Sequence, residues 1–290
     1  MRNRRKFTEI TLYLLPALLV IGFIYFFPLI KVFQYSFMRI KGTSFNYIGL
    51  TNYINIFNNP KFIEGLKNNF ILLISVPIIL ILAIFFAILL YERMGGWKLY
   101  RFTLFLPYIL AIPVVGVVFG YIFQLNGILN FFLEKLGLQF LINDWFGSSK
   151  FAIWTLMFVI MWKELGFSIV LIFARLLSVN QELYEAAEID GASWLKKHIY
   201  ITIPQCLSVI SFLSVILIIT MFAWVFNYVY TLTRGGPGNS TMVSEFYIFE
   251  TAFRDYNQGT GSAAAVILFL IMIVLIIAYT KTFRREEVGQ

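Results

Sequence analysis

Six apolar segments, each close to the length needed to cross a lipid bilayer, are the feature that most restricts how this chain can fold. A hydrocarbon core about 30 Å thick requires roughly 20 helical residues. Only 13% of the 290 residues are charged and 60% are hydrophobic, whereas soluble domains are about a quarter charged. We therefore predict an all-α membrane protein, one domain over 1–290, with six transmembrane helices at about 10–30, 69–91, 102–123, 152–174, 207–230 and 262–280.

Four prolines fall inside these predicted helices: Pro16, Pro77, Pro107 and Pro113. Membrane helices tolerate proline because neighbouring helices and water satisfy the carbonyl groups that it frees. The sequence therefore predicts kinks in these helices rather than breaks.

Lys and Arg are distributed unevenly between the segments that connect the predicted helices. If the N-terminus is cytoplasmic, the cytoplasmic segments contain 13 of them in 61 residues, and the opposite side contains nine in 97. This asymmetry satisfies the positive-inside rule, so we expect both termini in the cytoplasm. The net charge of +8 then reflects membrane boundaries and not nucleic-acid binding. The first segment lacks a small-residue cleavage site at its end, which indicates an uncleaved span.

The sequence lacks the motifs of an ATPase or a metalloenzyme. The phosphate-binding pattern GxxxxGK[ST] is absent, and the glycine-rich loop GGPGNST over 235–241 contains no lysine to contact a phosphate. The chain has one histidine, His198, and one cysteine, Cys206, which excludes an HExxH site and an internal disulfide. We therefore expect no catalytic residues, no bound metal and no cofactor on this chain.

A polar stretch, LYEAAEIDGASWLKKHIYITIP over 183–204, lies between the fourth and fifth apolar segments. Ser178 and Gln181 have capping-box spacing and Gly191 is suited to end a helix, so a short helix is predicted between them. One face of that helix, at i, i+3, i+4 and i+7, consists of Leu183, Ala186, Ala187 and Asp190. A membrane-surface helix is an alternative, but such helices favour Lys and Arg over acids, so a protein partner with basic residues fits better.

The same stretch resembles the EAA loop of the membrane permease subunits of binding-protein-dependent ABC importers. The pattern EAA---G---------I-LP is matched, with isoleucine in place of leucine, by EAAEIDGASWLKKHIYITIP over 185–204. The resemblance implies a type I ABC importer permease fold in which the loop over 178–204 carries a cytoplasmic coupling helix. The residues that it implies for contact with a separate ATPase are Leu183, Glu185, Ala186, Ala187, Asp190 and Gly191.

The resemblance extends over nearly the whole chain. The segments FLPYILAIPVVGVVF, WKELGFSIVLIFARLLSV and YVYTLTRGGPGNST are similar to the carbohydrate-uptake branch, and within it to the first of two paired permeases in multiple-sugar or raffinose-type systems. An ATP-driven importer of a sugar or oligosaccharide in a bacterial cell membrane is thereby implied. Its partners would be a second homologous permease, two ATP-binding cassette subunits that hold ATP and Mg²⁺, and an extracytoplasmic solute-binding protein.

Candidate substrate-path residues lie in the fourth and fifth predicted helices. Lys163 and Glu164 form the one ionisable pair deep in a span, and such groups often mark a transport path, although they could instead pair with each other or with backbone groups. The resemblance implies sugar contacts around the W---GF segment. A Trp162 ring stacked on a sugar beside Gly166 is physically reasonable, but Gly166 could equally serve close helix packing. The full set is Trp162, Lys163, Glu164, Leu165, Gly166, Ile169, Met221, Phe222, Trp224 and Asn227.

Phe222 and Trp224 have a simpler interpretation as core or lipid-facing rings, because 19% of the chain is aromatic. The loop after the fifth helix is the candidate contact with the solute-binding protein, through Gly235, Gly236, Pro237 and Gly238. It could also be only a turn before a short apolar helix. Two alternatives stay open for the whole chain: a permease for a polyol phosphate or other small solute, and a self-contained secondary transporter, which would require inverted repeats and coupling-ion sites.

Overall fold

The computed structural model describes residues 13–41, 43–93 and 95–288. Within these ranges six helices are long and apolar enough to cross a membrane. They are Tyr13–Tyr35, Pro60–Tyr91, Ile112–Lys135, Ala152–Leu176, Trp194–Ala223 and Gln258–Lys281. The predicted number of membrane helices is therefore confirmed. The first three residues of the predicted first span, 10–12, lie outside the described residues.

The first part of the chain combines helices with one small hairpin. Helix α1 over 13–21 continues through a π-helical turn at Gly22–Phe26 into α2 (Phe27–Tyr35). Strands β1 (Met38–Lys41) and β2 (Ser44–Tyr47) then pair antiparallel. The next helices are α3 (Thr51–Phe57), α4 (Pro60–Leu72), α5 (Ser75–Tyr91), α6 (Trp97–Ile109), α7 (Ile112–Phe123) and α8 (Ile128–Lys135).

A 3₁₀ turn at Gln139–Leu141 leads toward the long helix α9 (Ala152–Leu176). Two short helices follow, α10 (Glu182–Ile189) and α11 (Trp194–Lys197). A π-helical turn at His198–Thr202 then joins α11 to α12 (Ile203–Ala223). The last elements are α13 (Phe226–Leu232), α14 (Ser244–Phe249), a π-helical turn at Glu250–Arg254 and α15 (Gln258–Val288).

The chain forms two compact units, one from the described parts of 1–60 and 247–270, the other from 61–246 and 271–290. In the first unit, Asn52 holds the start of the hairpin. Its side-chain amide donates to the carbonyl oxygens of Ser36 and Met38, at 2.9 Å each, and accepts the hydroxyl of Thr260 at 3.1 Å. One buried amide therefore links α3, the hairpin and α15.

In the second unit, α9 is the central helix and packs against α5, α6 and α12. Its buried positions recur every three or four residues, as expected for a helix with a packed face. Leu156, Ile160 and Ile169 on this face are fully buried. The same helix also buries Lys163 and Gly166, so these two residues lie inside the bundle.

The third predicted helix is interrupted rather than kinked, so the expectation of a continuous helix was wrong there. Helix α6 ends at Ile109, and Leu110 and Ala111 are extended, with ψ of 136° and 138°. Helix α7 then begins with Pro113 in its first turn, where the missing N–H needs no partner. The break leaves the last carbonyl groups of α6 in need of a hydrogen-bond donor.

Candidate functional site

A cavity of about 500 Å³ lies beside the break between α6 and α7. We call it the central cavity. Its walls combine aromatic rings with a few polar groups, which is typical of small-molecule sites. It is lined by Tyr108, Leu110, Ala111, Ile112, Lys163, Glu164, Phe167, Ile216, Thr220, Trp224 and Tyr228.

Lys163 provides hydrogen-bond donors for the carbonyl groups at the C-terminal end of α6. Its Nζ donates to the carbonyl oxygens of Tyr108 and Leu110 at 2.8 and 2.7 Å, and to that of Pro107 at 3.4 Å. The last carbonyls of a helix lack partners within the helix and carry partial negative charge, so an ammonium group suits them. An ammonium group has three N–H donors, and all three are used here. Backbone groups therefore hold Lys163, which is one of the alternatives that the sequence left open.

Glu164 projects from a different side of α9 and lines the central cavity. Its Oε1 accepts the hydroxyl of Tyr228 at 2.8 Å, and Tyr228 is 1% exposed. Within the described part of the chain, no salt bridge joins Lys163 to Glu164. The carboxyl group is thus oriented by a buried phenol on α13 and faces the cavity.

The structure brings together only three of the predicted substrate-path residues. Lys163, Glu164 and Trp224 line the central cavity, and Trp224 is 59% exposed. The other predicted residues do not line it: Trp162, Leu165, Gly166, Ile169, Met221, Phe222 and Asn227. The residues that do line it come from several helices, whereas the predicted set followed short runs of sequence.

Several of the remaining predicted residues have packing contacts elsewhere. The Trp162 ring lies edge-on to Phe119, with centroids 4.8 Å apart. A Cβ on Gly166 would come within 2.8 Å of the Leu104 carbonyl oxygen, so glycine permits α6 to approach α9. Met221 and Phe222 are fully buried. These positions serve the helix interfaces.

Sequence reasoning identified Trp224 but missed the other aromatic residues of the cavity wall, Tyr108, Phe167 and Tyr228. Tyr108 stacks on Phe167 with ring centroids 4.9 Å apart and planes 21° apart, and Tyr228 binds Glu164. The chain has 16 tyrosines and 32 phenylalanines, so composition gave no reason to single these out. The available signal was Glu164 itself, because an acid within an apolar span requires a hydrogen-bond donor nearby.

Helix α10, within the polar stretch that follows α9, begins and ends at defined residues. The Asn180 side-chain oxygen accepts the backbone N–H of Glu182 at 3.1 Å. Ser178 instead donates its hydroxyl to the carbonyl of Arg175 at 2.7 Å, so the predicted Ser178 cap was wrong. Asn180 caps the helix in place of Ser178, because its side-chain oxygen lies closer to the backbone N–H groups of the first turn. Gly191 ends the helix with φ of +74°, as the sequence predicted.

The surface of α10 is open along its length. No residue of the helix is buried, and the side chain of Ile189 is 87% exposed. The predicted contact residues Leu183, Glu185, Ala186, Asp190 and Gly191 are exposed, and Ala187 is half-buried. An exposed apolar residue beside acids and small residues is an arrangement that a protein partner can cover.

A hydrogen-bonded chain, the α10 relay, attaches α10 to the end of α5. The Tyr184 hydroxyl lies 2.9 Å from Oγ1 of Thr202, which lies 2.8 Å from Nδ1 of His198. Nε2 of His198 lies 3.1 Å from Oε1 of Glu92, and the same oxygen accepts the indole N–H of Trp194 at 2.8 Å. The histidine that is unique in the sequence is therefore a structural link between helices.

The GGPG loop is a fixed turn. The side-chain amide of Asn68 donates to the carbonyl of Met242 at 2.8 Å, and the Thr241 hydroxyl donates to the carbonyl of Gly236 at 2.7 Å. Within residues 235–238, the first glycine is buried and the last is exposed. The turn therefore presents a defined shape, and it lies outside the lining of the central cavity.

Known proteins resemble this chain over almost its full length. Residues 46–285 match the family model described as binding-protein-dependent transport system inner membrane component. A probable ABC transporter permease protein of Pyrococcus horikoshii is 32% identical, over 99% of this chain and 100% of its own length. The arabinooligosaccharides transport system permease protein AraP of Halalkalibacterium halodurans is 30% identical, over 99% and 94%. The multiple sugar-binding transport system permease protein MsmF of Streptococcus mutans is 28% identical, over 98% and 97%.

The fold also resembles that of solved structures. A bacterial ABC transporter involved in the import of the acidic polysaccharide alginate superposes with a TM-score of 0.85 at 22% identity, covering 98% of both chains. The bacterial alginate transporter in complex with an alginate pentasaccharide-bound periplasmic protein gives the same TM-score at 23% identity, over 98% of this chain and 96% of that one. The chain therefore belongs to the binding-protein-dependent transport system inner membrane component family and is an ABC transporter permease, a transport component rather than an enzyme.

Proposed function

We propose that this chain is the permease subunit of an ATP-driven importer that carries a sugar or oligosaccharide into the cytoplasm of a bacterium. The observation that carries the proposal is the central cavity, where an oriented carboxylate, Glu164, lies among aromatic rings. Sugars present hydroxyl donors to a carboxylate and C–H faces to aromatic rings. The names of AraP and MsmF, which refer to arabinooligosaccharide and multiple-sugar transport, support the same substrate class.

The cavity chemistry favours a hydroxyl-rich ligand over a phosphate ester. Trp224 is exposed for stacking, and Glu164 is available to accept a hydroxyl. Lys163 is the one lysine or arginine in the cavity lining, and its donors are occupied by backbone carbonyls. A phosphate would meet the Glu164 carboxylate without a free cation to balance it. A polyol phosphate permease is therefore the weaker alternative.

The energy source in this proposal is a separate pair of ATP-binding cassette subunits, which bind ATP and Mg²⁺, so this chain itself requires no cofactor. Helix α10 is the coupling helix that docks on one of them. Glu185 is exposed on that helix and would accept hydrogen bonds from a basic residue, worth about 1.5 to 3 kcal/mol. The α10 relay would then carry displacement of the docked helix to α5.

The remaining partners follow from the same proposal. A second homologous permease would complete the translocation path opposite the central cavity. The fixed turn at 235–238 would contact an extracytoplasmic solute-binding protein, while α10 and both termini face the cytoplasm. The asymmetric distribution of Lys and Arg supports this orientation.

Transport in proteoliposomes tests the proposal. The permease pair and ATPase are reconstituted with ATP inside and the solute-binding protein outside, and uptake of neutral oligosaccharides is compared with that of glycerol phosphate. We expect oligosaccharide uptake that requires both ATP and the binding protein. Uptake driven by an ion gradient in the absence of ATP would instead identify a secondary transporter.

A further inference from the structure

A second cavity opens between the end of α5 and the first turns of α6, with a volume of about 560 Å³. We call it the interfacial groove. Its lining is almost entirely apolar, and Leu99 and Tyr100 on its wall are 69% and 57% exposed. The Thr103 hydroxyl donates to the carbonyl of Leu99 at 2.6 Å and is thereby satisfied. The lining residues are Phe86, Leu89, Leu90, Gly95, Trp97, Leu99, Tyr100, Thr103 and Leu104.

One basic residue, Arg93, lies against a residue of this groove, and two more, Lys98 and Arg101, follow it on α6. The Arg93 guanidinium lies 6.0 Å from the ring centroid of Trp97, which lines the groove. Lys98 follows Trp97 directly. Arg101 lies one helical turn further along α6, with its guanidinium 5.7 Å from the ring centroid of Phe173 on α9. All three side chains are exposed. Trp and Tyr beside Lys and Arg are typical of the level at which a helix meets lipid headgroups.

Among the described residues, no acidic side chain forms an ion pair with these basic residues. Glu92, the one acid near them in sequence, accepts hydrogen bonds from Trp194 and His198. An occupant of the interfacial groove therefore needs an apolar body and a negative end.

We propose that the interfacial groove binds an anionic phospholipid, with one acyl chain along the apolar wall and the phosphate between Arg93 and Lys98. Basic pockets between membrane helices bind acidic lipid headgroups in this way. An apolar helix of a partner protein would fill the groove but would leave the basic residues without counter-charge. Residues 1–9 of this chain contain four basic residues and one acid, so like charge would repel that segment.

Native mass spectrometry of the full-length chain in mild detergent tests this inference. Phosphatidylglycerol or phosphatidylcholine is added, and the lipids that stay bound to the protein are counted. We expect one phosphatidylglycerol for each chain and no specific phosphatidylcholine. Because each Lys or Arg near a membrane contributes about fivefold to anionic lipid binding, Arg93→Gln with Lys98→Gln should reduce retention by more than tenfold. Lys135→Gln with Lys150→Gln, which removes two charges elsewhere, is the matched control and should retain the lipid.

A groove-filling variant separates apolar binding from charge. Gly95 lines the groove, and a Cβ placed on it meets no atom within 4 Å, so Gly95→Leu adds an apolar side chain there without a clash at Cβ. We expect this variant to lose phosphatidylglycerol although all three basic residues are present. Equal retention of phosphatidylglycerol and phosphatidylcholine by the native chain would overturn the inference. Unchanged phosphatidylglycerol retention both in Arg93→Gln with Lys98→Gln and in Gly95→Leu would overturn it too. Lipid bound to the isolated chain but absent from the assembled importer would show that a protein fills the groove, and would overturn it as well.

Discussion

Glu92 and His198 are 106 positions apart in the sequence, and their side chains meet at 3.1 Å between Oε1 and Nε2. The His198 side chain is buried, so its nitrogens depend on protein partners. If Nε2–H donates to Glu92 and Nδ1 accepts the Thr202 hydroxyl, every polar group from Tyr184 to Glu92 is satisfied. This arrangement gives the exposed helix α10 a firm attachment to the end of α5.

Removal of the Glu92 carboxylate should weaken this attachment. Glu92→Ala leaves the buried His198 ring without its acceptor, and such a loss costs about 1 to 3 kcal/mol; the Trp194 indole N–H also loses this acceptor but is exposed to solvent. We expect a lower midpoint of thermal unfolding and less sugar imported for each ATP hydrolysed. Glu92→Gln keeps an acceptor oxygen and should recover most of the stability. Glu188→Gln breaks only the partly exposed pair with Lys197 and serves as the control, with an effect below about 1 kcal/mol.

Lys163 should be required for the stability of the break between α6 and α7. Lys163→Met keeps the length of the side chain but leaves the carbonyls of Tyr108 and Leu110 without a donor. Hydrogen bonds to charged groups contribute about 1.5 to 3 kcal/mol, so we expect a loss of at least about 2 kcal/mol in denaturant unfolding in detergent. Lys150→Met, which removes an exposed ammonium group 5.5 Å from the Phe151 ring centroid, should cost less than about 1 kcal/mol. Equal losses in the two variants would argue against the capping role.

Trp224 and Trp162 should differ in their effects on transport. Trp224 is exposed in the central cavity, whereas Trp162 packs against Phe119. Trp224→Ala should raise the sugar concentration that gives half-maximal stimulation of ATP hydrolysis by about fivefold or more, through loss of ring stacking. Trp162→Ala should chiefly lower the thermal unfolding midpoint. A changed half-maximal concentration for Trp162→Ala with normal stability would put that ring back on the substrate path.

Glu245 should make the stability of the chain depend on pH. Burial raises the pKa of Glu245 to about 8, although the carboxylate accepts the N–H of Phe226 at 3.0 Å. The folded state therefore keeps a proton that the unfolded state loses near its ordinary pKa of 4.5. Stability should fall as pH rises from 4.5 to 8.

The Glu245→Gln variant tests this pH dependence through thermal unfolding at pH 5 and pH 8. We expect the unfolding midpoint of the variant to lie a few degrees above that of the native chain at pH 8. The two midpoints should differ less at pH 5, because the glutamate is then protonated. Glu134→Gln, on the exposed end of α8, should follow the native chain at both pH values. A constant difference between Glu245→Gln and the native chain would exclude titration of this carboxyl as the cause.

The number of membrane helices could be predicted from sequence because the length of an apolar span depends on bilayer thickness and not on tertiary contacts. The break at Leu110 could not be predicted from the sequence. Pro113 is compatible with either a kink or the start of a new helix. A new helix requires a hydrogen-bond donor for the last carbonyl groups of α6. Lys163 supplies it from 53 positions away along the chain, a distance over which local pattern carries no information.

The candidate site could be predicted only in part for a similar reason. Lys163 and Glu164 were recognised because charges are rare in apolar spans. Tyr228 was not, since its significance depends on the hydrogen bond to Glu164 across two helices. The short helix of the 178–204 stretch could be predicted from its pattern, but the Asn180 cap and the α10 relay depend on local geometry and on contacts between distant segments.

The docking role of α10 is tested most directly by the recovery of the ATPase with the permease. Glu185 is exposed, so Glu185→Lys should leave the fold and membrane abundance of the chain unchanged, and Glu134→Lys provides the same charge reversal on another surface. Co-purification of the ATPase and ATP-driven sugar uptake are measured on the same preparations. We expect both to fall at least tenfold in Glu185→Lys and to stay normal in Glu134→Lys. Normal ATPase recovery and normal uptake with Glu185→Lys would contradict the assignment of α10 as the coupling helix.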